Sequence, residues 1–339
     1  MDVPAVSIVV PIRNAVAYLP RCLDSLERQT HPDLEIVLVD DGSTDGSASL
    51  CDEFAGRHHG TRVIHHESPK GVSAARNAGV AASSGDCIGF VDADDWAAPT
   101  MFETLSRVIT ETDSDVAQVQ YELCSAQRAI ENATETITVL SSDEALADML
   151  LKEEYAVVSR LYRRSLFDAC SPECFPVGLT CEDRIANIKL LSKASQVAVS
   201  SRVEYLYFRN IGSISYNGLD KRGFDLMTAD RMMVELVRGR AGEKVVSLAE
   251  DRAAKSSFSL LIKWARFGVT DPKLDEDSAV SRLFEDFREQ YARLMQSPLS
   301  LGKKIAAWQL RYCPLLLRFE FRVLGAVGRV GKRKEGSCE

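Results

Sequence analysis

Apolar and polar positions switch between two periods over the first hundred residues. Val6–Val10 is a compact apolar run rich in β-branched residues, and Leu19–Gln29 repeats apolar residues at helical spacing. Glu35–Val39 predicts a second strand, Asp45–His58 a helix, Arg62–His65 a strand, Ser73–Ala82 a helix and Ile88–Val91 a further strand. Such alternation implies parallel strands joined by right-handed helical crossovers. Ligands of open parallel sheets bind beyond the carboxyl ends of the strands. Here those ends read Pro11-Ile12-Arg13-Asn14, Asp40-Asp41-Gly42-Ser43 and Asp92-Ala93-Asp94-Asp95, so three polar loops converge on one edge. Further along, a strand is expected at Asp115–Tyr121, helices at Asp143–Leu151 and Ile185–Lys193, and short strands at Gln196–Ser200 and Tyr205–Phe208. Helical periodicity returns over Asp220–Arg238, Leu248–Arg266 and Ala279–Met295; Asp271–Asp277 reads as an acidic linker and Ser297-Pro298 as a helix break.

Asp92, Asp94 and Asp95 follow directly on the apolar strand Cys87–Val91. Clustered carboxylates repel one another and resist desolvation unless a cation joins them. Hard oxygen ligands at a strand end suit Mg²⁺ or Mn²⁺, shared with a phosphate. The competing reading is a solvated acidic turn capping a helix that begins at Ala97–Pro99.

With 339 residues, 45 % of them hydrophobic, the chain can bury a large core. The nine cysteines have no disulfide-framework spacing, and Cys170, Cys174 and Cys181 lack the spacing of a zinc site, which suggests a reducing, cytosolic setting. The first apolar run opens a strand pattern rather than a secretory signal, and no apolar run reaches transmembrane length. Net charge is −8, yet Leu299–Glu339 holds nine Lys or Arg against three Glu. An acidic body argues against a nucleic-acid partner, and the basic tail suits an anionic surface.

Five ordered motifs together resemble the inverting glycosyltransferases of family two. They are Val6–Asn14 with the helix Tyr18–Thr30; Glu35–Asp45; Gly71-Val72-Ser73-Ala74-Ala75-Arg76-Asn77-Ala78-Gly79; Asp92–Asp95; and a later group. That group holds Leu161–Phe167, Phe175-Pro176-Val177-Gly178, Glu182-Asp183 and Tyr205–Arg209 with Ser213-Ile214-Ser215. The resemblance covers roughly residues 6–216 and implies an α/β fold of the GT-A nucleotide-diphospho-sugar transferase type, with a mostly parallel sheet flanked by helices. It places a catalytic domain over 1–216, with a nucleotide-binding half to about 100 and an acceptor half beyond. A helical extension over 217–298 and a basic amphipathic segment over 299–339 follow.

The resemblance also implies roles. Asp94 and Asp95 go to the metal, Asp94 also to the donor, Asp92 to the loop or the ribose, and Asp41 to the nucleobase. Pro11, Arg13 and Asn14 join the donor site. The family commonly has an aromatic residue where this chain has Arg13, whose guanidinium plane offers another stacking surface. Ser43, Thr44 and Asp45 read as caps of the following helix. Arg76 either meets the donor phosphates or braces the acidic loop through a salt bridge to Asp94. In-line displacement needs a base opposite the leaving group. The family pattern makes that base Asp183, with Glu182 assisting, while acidic residues at a helix N-terminus are the bland alternative. The expected donor is a nucleotide sugar, by family habit a UDP-sugar, and the acceptor a glycan or lipid-linked saccharide of the cell envelope. Two other classes compete: a sugar nucleotidyltransferase, which lacks its Gly-rich phosphate loop here, and a sugar-nucleotide binding module without catalysis. A dehydrogenase lacks G-x-G-x-x-G after the first strand. Residues 299–334 alternate aromatics with Lys and Arg, which fits peripheral contact with the inner face of the plasma membrane. Packing as a helical hairpin or a dimer contact is the alternative.

Overall fold

A computed structural model describes residues 3–124, 134–170, 173–208, 218–321 and 323. It divides into two compact units, residues 1–212 with 236–245, and residues 213–235 with 246–339.

The first unit is a nine-stranded sheet with helices against it. In chain order it contains β1 (Val6–Ile12), α1 (Leu19–Glu27), β2 (Leu34–Asp40), α2 (Ser47–Arg57), β3 (Thr61–His65), α3 (Val72–Ala82) and β4 (Cys87–Phe90). There follow β5 (Trp96–Ala97), α4 (Met101–Thr112), β6 (Val116–Cys124), β7 (Ile137–Ser141), α5 (Ser142–Lys152), β8 (Arg160–Arg163), α6 (Arg164–Asp168), α7 (Glu182–Leu191) and β9 (Gln196–Phe208). The strand order is β3-β2-β1-β4-β8-β6-β9-β5, with β7 on β9. β1, β2, β3 and β4 pair in parallel, as the crossover pattern requires. β8 then pairs antiparallel with both β4 and β6, which makes the sheet mixed.

β1 sits in the middle of the parallel half and is buried along most of its length, with Val6, Ile8, Val9 and Val10 fully covered. Helix α3 lies close to it because Gly79 has no side chain: a Cβ there would stand 2.3 Å from Val9 Cγ1. Gly71, at φ +95°, forms the N-cap of α3 in a conformation L side chains rarely adopt.

Several elements depart from the sequence pattern. Trp96–Ala97 is a short strand on β9 rather than a helix start, and the next helix begins at Met101. The two short strands expected around Ser200 and Tyr205 are one, β9. The polar stretch between them does not interrupt it, because the fully buried Glu204 is satisfied by Thr100, Thr104 and Arg202. Strands β7 and β8 are too short and too mixed in character to carry a period.

The second unit contains most of α8 (Lys221–Val237) and of α9 (Glu243–Phe267), with α10 (Glu276–Gln296) and α11 (Leu301–Tyr312). The acidic linker is shorter than expected, since Asp275 caps α10 by accepting from Ser278 N–H at 3.0 Å. Its core joins Phe258, Leu261, Trp264, Leu283 and Phe287 to Ala307, Leu310 and Leu317, so one face of the basic C-terminal segment is core. Among the described residues, no helix is long and apolar enough to cross a membrane. Arg209, Ser213-Ile214-Ser215 and most residues after Phe321 lie outside the described residues.

Candidate active site

The three strand-end loops meet at the carboxyl edge of β1, β2 and β4, which are neighbours in the sheet. Two clusters form there.

The first surrounds Asp41, which follows β2 and is 2 % exposed. Its carboxylate accepts from His66 Nδ1, Lys70 N–H and Gly71 N–H, each at 2.8 Å. Burial opposes its charge, but His66 and the two backbone donors outweigh that and hold its carboxyl below the usual range. Arg13 is exposed, with Nη1 3.8 Å from Asp41. Asn14 adopts φ +47° and staples the first two strand ends: its N–H donates to Ser43 Oγ at 3.0 Å and its Oδ1 accepts from Thr44 N–H at 2.8 Å. Pro11 is half-buried at the end of β1. Ser43 therefore serves the β1 loop, and α2 has no side-chain cap at its N-cap residue, Gly46. Asp45 comes nearest to that role, accepting from Ser47 N–H at 3.0 Å.

The second cluster is organised by Arg76, on α3 and 3 % exposed. Nη1 donates to Glu182 Oε1 at 2.6 Å and to Asp183 Oδ1 at 2.5 Å; Nη2 donates to Asp92 Oδ1 at 2.9 Å. Its guanidinium lies 5.6 Å from the Phe175 ring centroid. Burial disfavours the cation, but Asp183, Asp92 and Glu182 overcome this and raise its pKa. Next in sequence, Asn77 makes a reciprocal pair with Phe175, donating to its carbonyl at 2.7 Å and accepting its N–H at 3.1 Å. Glu182 and Asp183 occupy the first turn of α7, where the helix dipole favours negative charge. Cys181 before them sits at φ +71°, a rare conformation for a residue with a Cβ. Asp183 is pushed up to about 7, first by burial and also by Glu182, with Arg76 pulling the other way. Of the two uses expected for Arg76, the structure displays the brace, and its partners are Asp92, Glu182 and Asp183 rather than Asp94.

Asp94 and Asp95, both expected at the metal, sit in different surroundings. Asp95 is 2 % exposed; its Oδ2 accepts from Tyr205 at 2.6 Å and its Oδ1 from Phe208 N–H at 2.7 Å. Burial, then the charge of Asp92, push it up to about 8. A carboxylate turned inward with both oxygens engaged does not fit a cation at the site. Asp94 is exposed and enters no ion pair among the described residues; desolvation and Asp92 raise its carboxyl. No group of three His, Cys, Asp or Glu among the described residues stands ready to hold a metal by itself. A cation here would meet Asp94 as the exposed carboxylate of the turn, with further ligands from a group such as a diphosphate.

Three supporting residues carried no role in the motif reading. Arg21, 3.9 Å from the Trp96 ring centroid and 4.6 Å from that of Phe208, donates to the Asp94 carbonyl at 2.7 Å. The Tyr205 hydroxyl also accepts Asp92 N–H at 3.2 Å, so one phenol holds both ends of the acidic loop. Asn77 sets Phe175. All three fall within the quoted motifs, but nothing in a linear pattern distinguishes a buttress from a ligand.

The profile of glycosyl transferase family 2 matches residues 7–170. The chain is 32 % identical over 219 residues to the uncharacterized glycosyltransferase EpsJ of Bacillus subtilis, covering 63 % of each chain. It is 32 % identical over 224 residues to the glycosyltransferase GlyA of Streptococcus pneumoniae, covering 62 % of this chain and 31 % of that one. It thus spans less than two thirds of the length of both relatives. Among solved structures, S. aureus TarS 1-349 in complex with UDP-GlcNAc superposes with a TM-score of 0.67 at 20 % identity, covering 96 % of this chain and 92 % of that one. The family's match includes the strand-end loops, Arg76 and the Asp92–Asp95 turn, so residues 7–170 match the glycosyl transferase family 2 domain, and the fold is of the GT-A type.

Proposed function

We propose that the chain is an inverting glycosyltransferase that moves a sugar from a UDP-sugar to a hydroxyl of a glycan or lipid-linked saccharide in envelope polysaccharide synthesis. The observation that carries this reading is the Arg76 cluster, which ties a donor-loop carboxylate, Asp92, to a carboxylate pair poised for proton transfer. Asp183, held at about 7, is matched to a base working near neutral pH. It takes the acceptor proton as the hydroxyl attacks the anomeric carbon, and a single in-line displacement inverts that centre. Glu182, fixed by Arg76, orients the acceptor and shapes the field around Asp183.

Arg13, Asn14 and Asp41 form the nucleotide end of the site, with Pro11 at the strand end beneath them and Asp92 toward the ribose. Asp94 is the residue that would hold Mn²⁺ or Mg²⁺, which when bound would neutralise the charge growing on the leaving diphosphate. This reading confines transfer to residues 1–216, with 217–298 and 299–339 as accessory segments. The described cysteines are free thiols, which supports a cytoplasmic site of action.

Calorimetric titration of UDP and GDP, with Mn²⁺ and then with chelator, tests the donor site. UDP should bind only with the cation, and Asp183→Asn should leave that binding intact while abolishing UDP release from the productive UDP-sugar. Transfer retained by Asp183→Asn would remove Asp183 as base, and absence of UDP binding would remove the donor assignment.

A further inference from the structure

Helix α11 has apolar residues on two opposite faces. Ala307 and Leu310 turn into the core of the second unit, joined beyond the helix by Leu317. The other face carries Leu301, Ile305, Trp308 and Tyr312, exposed by 76, 51, 50 and 64 %. Their spacing of four, three and four residues stacks them in one stripe, since neighbours three and four apart share a helix face. Leu315 and Phe319, beyond the break at Cys313, are also exposed. Single exposed apolar side chains are ordinary, but a contiguous row marks a contact surface.

Charge distinguishes the possible occupants. Lys304, half-buried, lies three residues from Leu301 and four from Trp308 and so flanks the stripe, and residues 299–339 are basic on an otherwise acidic chain. A second copy docking through the same stripe would bring two basic segments together, because a two-fold contact pairs a patch with itself. The helix also breaks at Cys313, at φ −146° and ψ 59°, so the stripe is not one continuous coiled-coil seam. An anionic bilayer meets both features: it attracts the basic segment and accepts Trp, Tyr and Phe rings at headgroup depth. We propose that the stripe Leu301–Tyr312, with Leu315 and Phe319, lies flat on an anionic lipid surface, its aromatic rings in the headgroup layer and Lys304 against lipid phosphates.

This docking is independent of the donor site, and the two fail separately. The test is sedimentation of the full chain with phosphatidylcholine vesicles that contain or lack phosphatidylglycerol, alongside light scattering for oligomeric state. The protein should sediment with anionic vesicles and much less with neutral ones, and added salt should release it. Trp308→Ser with Phe319→Ser should weaken binding about tenfold per ring removed. Lys304→Glu should weaken it about fivefold, which gives a second readout should the apolar variant misfold. Unchanged UDP titration in these variants separates lipid binding from the donor site, and an unchanged helical circular-dichroism melt shows that the second unit still folds. Equal binding to neutral and anionic vesicles, or none to either, overturns the proposal. So does a wild-type oligomer that the Trp308→Ser, Phe319→Ser pair disperses, which would assign the stripe to a second copy.

Discussion

Replacing Arg76 tests whether one buried cation sets the working pH of the proposed base. In Arg76→Met the three carboxylates keep their places but lose their shared counter-charge. Asp183 already stands at about 7, with Arg76 pulling it down from a higher value. An opposite charge at hydrogen-bonding distance is worth about one to three pKa units. Losing one to two of these cuts the ionised share of Asp183 at pH 7 from about half to roughly 9 % or 1 %, so kcat should fall about 5- to 50-fold. The acid limb of the kcat profile should move upward by the same amount, and activity should recover toward pH 9. Arg76→Lys should fall between, because one ammonium cannot reproduce the fork that reaches Asp92 on one side and Glu182 with Asp183 on the other. The assay is UDP release from a productive UDP-sugar across the pH range. Denaturant unfolding is needed in parallel, since stripping one partner from a buried ion cluster costs about 3–5 kcal/mol. An acid limb that stays in place while activity falls only with the unfolded fraction would refute the argument and leave Arg76 as structural.

The other predictions concern the acidic loop and its support. Asp94→Ala should abolish the Mn²⁺ dependence of UDP binding measured by calorimetry. Asp95→Asn and Tyr205→Phe should instead lower thermal stability and turnover together while leaving the half-saturating Mn²⁺ concentration unchanged; a shifted metal requirement in Asp95→Asn would restore Asp95 as a ligand. Gly79→Ala places a methyl 2.3 Å from Val9 Cγ1. Overpacking of this kind costs about 1–3 kcal/mol, readable as a lower urea midpoint, and an unchanged midpoint would mean that α3 can lift off β1 freely.

The parallel half of the sheet and the convergence of three loops were legible in the sequence, because a buried parallel strand must be apolar along its length and polar just beyond it. The orientations of Asp94 and Asp95 were not. Adjacent residues in a tight turn project to different sides, and the phenol of Tyr205, 110 residues later, with the Phe208 N–H shows that Asp95 faces inward. Arg76 posed the same problem: its type admitted a phosphate or a carboxylate partner, and the answer came from Glu182 and Asp183, 106 and 107 residues away. The C-terminal segment defeated the pattern for another reason. Its hydrophobic density suits burial and surface docking equally, and α11 does the first on one face while exposing the other.

The adjacency of Arg76 and Asn77 also bears on how such a protein tolerates change. Two neighbouring side chains on one helix fix the segment at Phe175 and the carboxylates at Glu182 and Asp183, and Asn77 and Phe175 lie 98 residues apart. Registration of these carboxylates therefore does not depend on the intervening chain alone. Insertions, deletions or exchanged loops between α3 and Phe175 can be absorbed without displacing the carboxylates, provided the strands among them still pair. A lineage can thus redesign what approaches the site while inheriting unchanged the geometry that would do the chemistry.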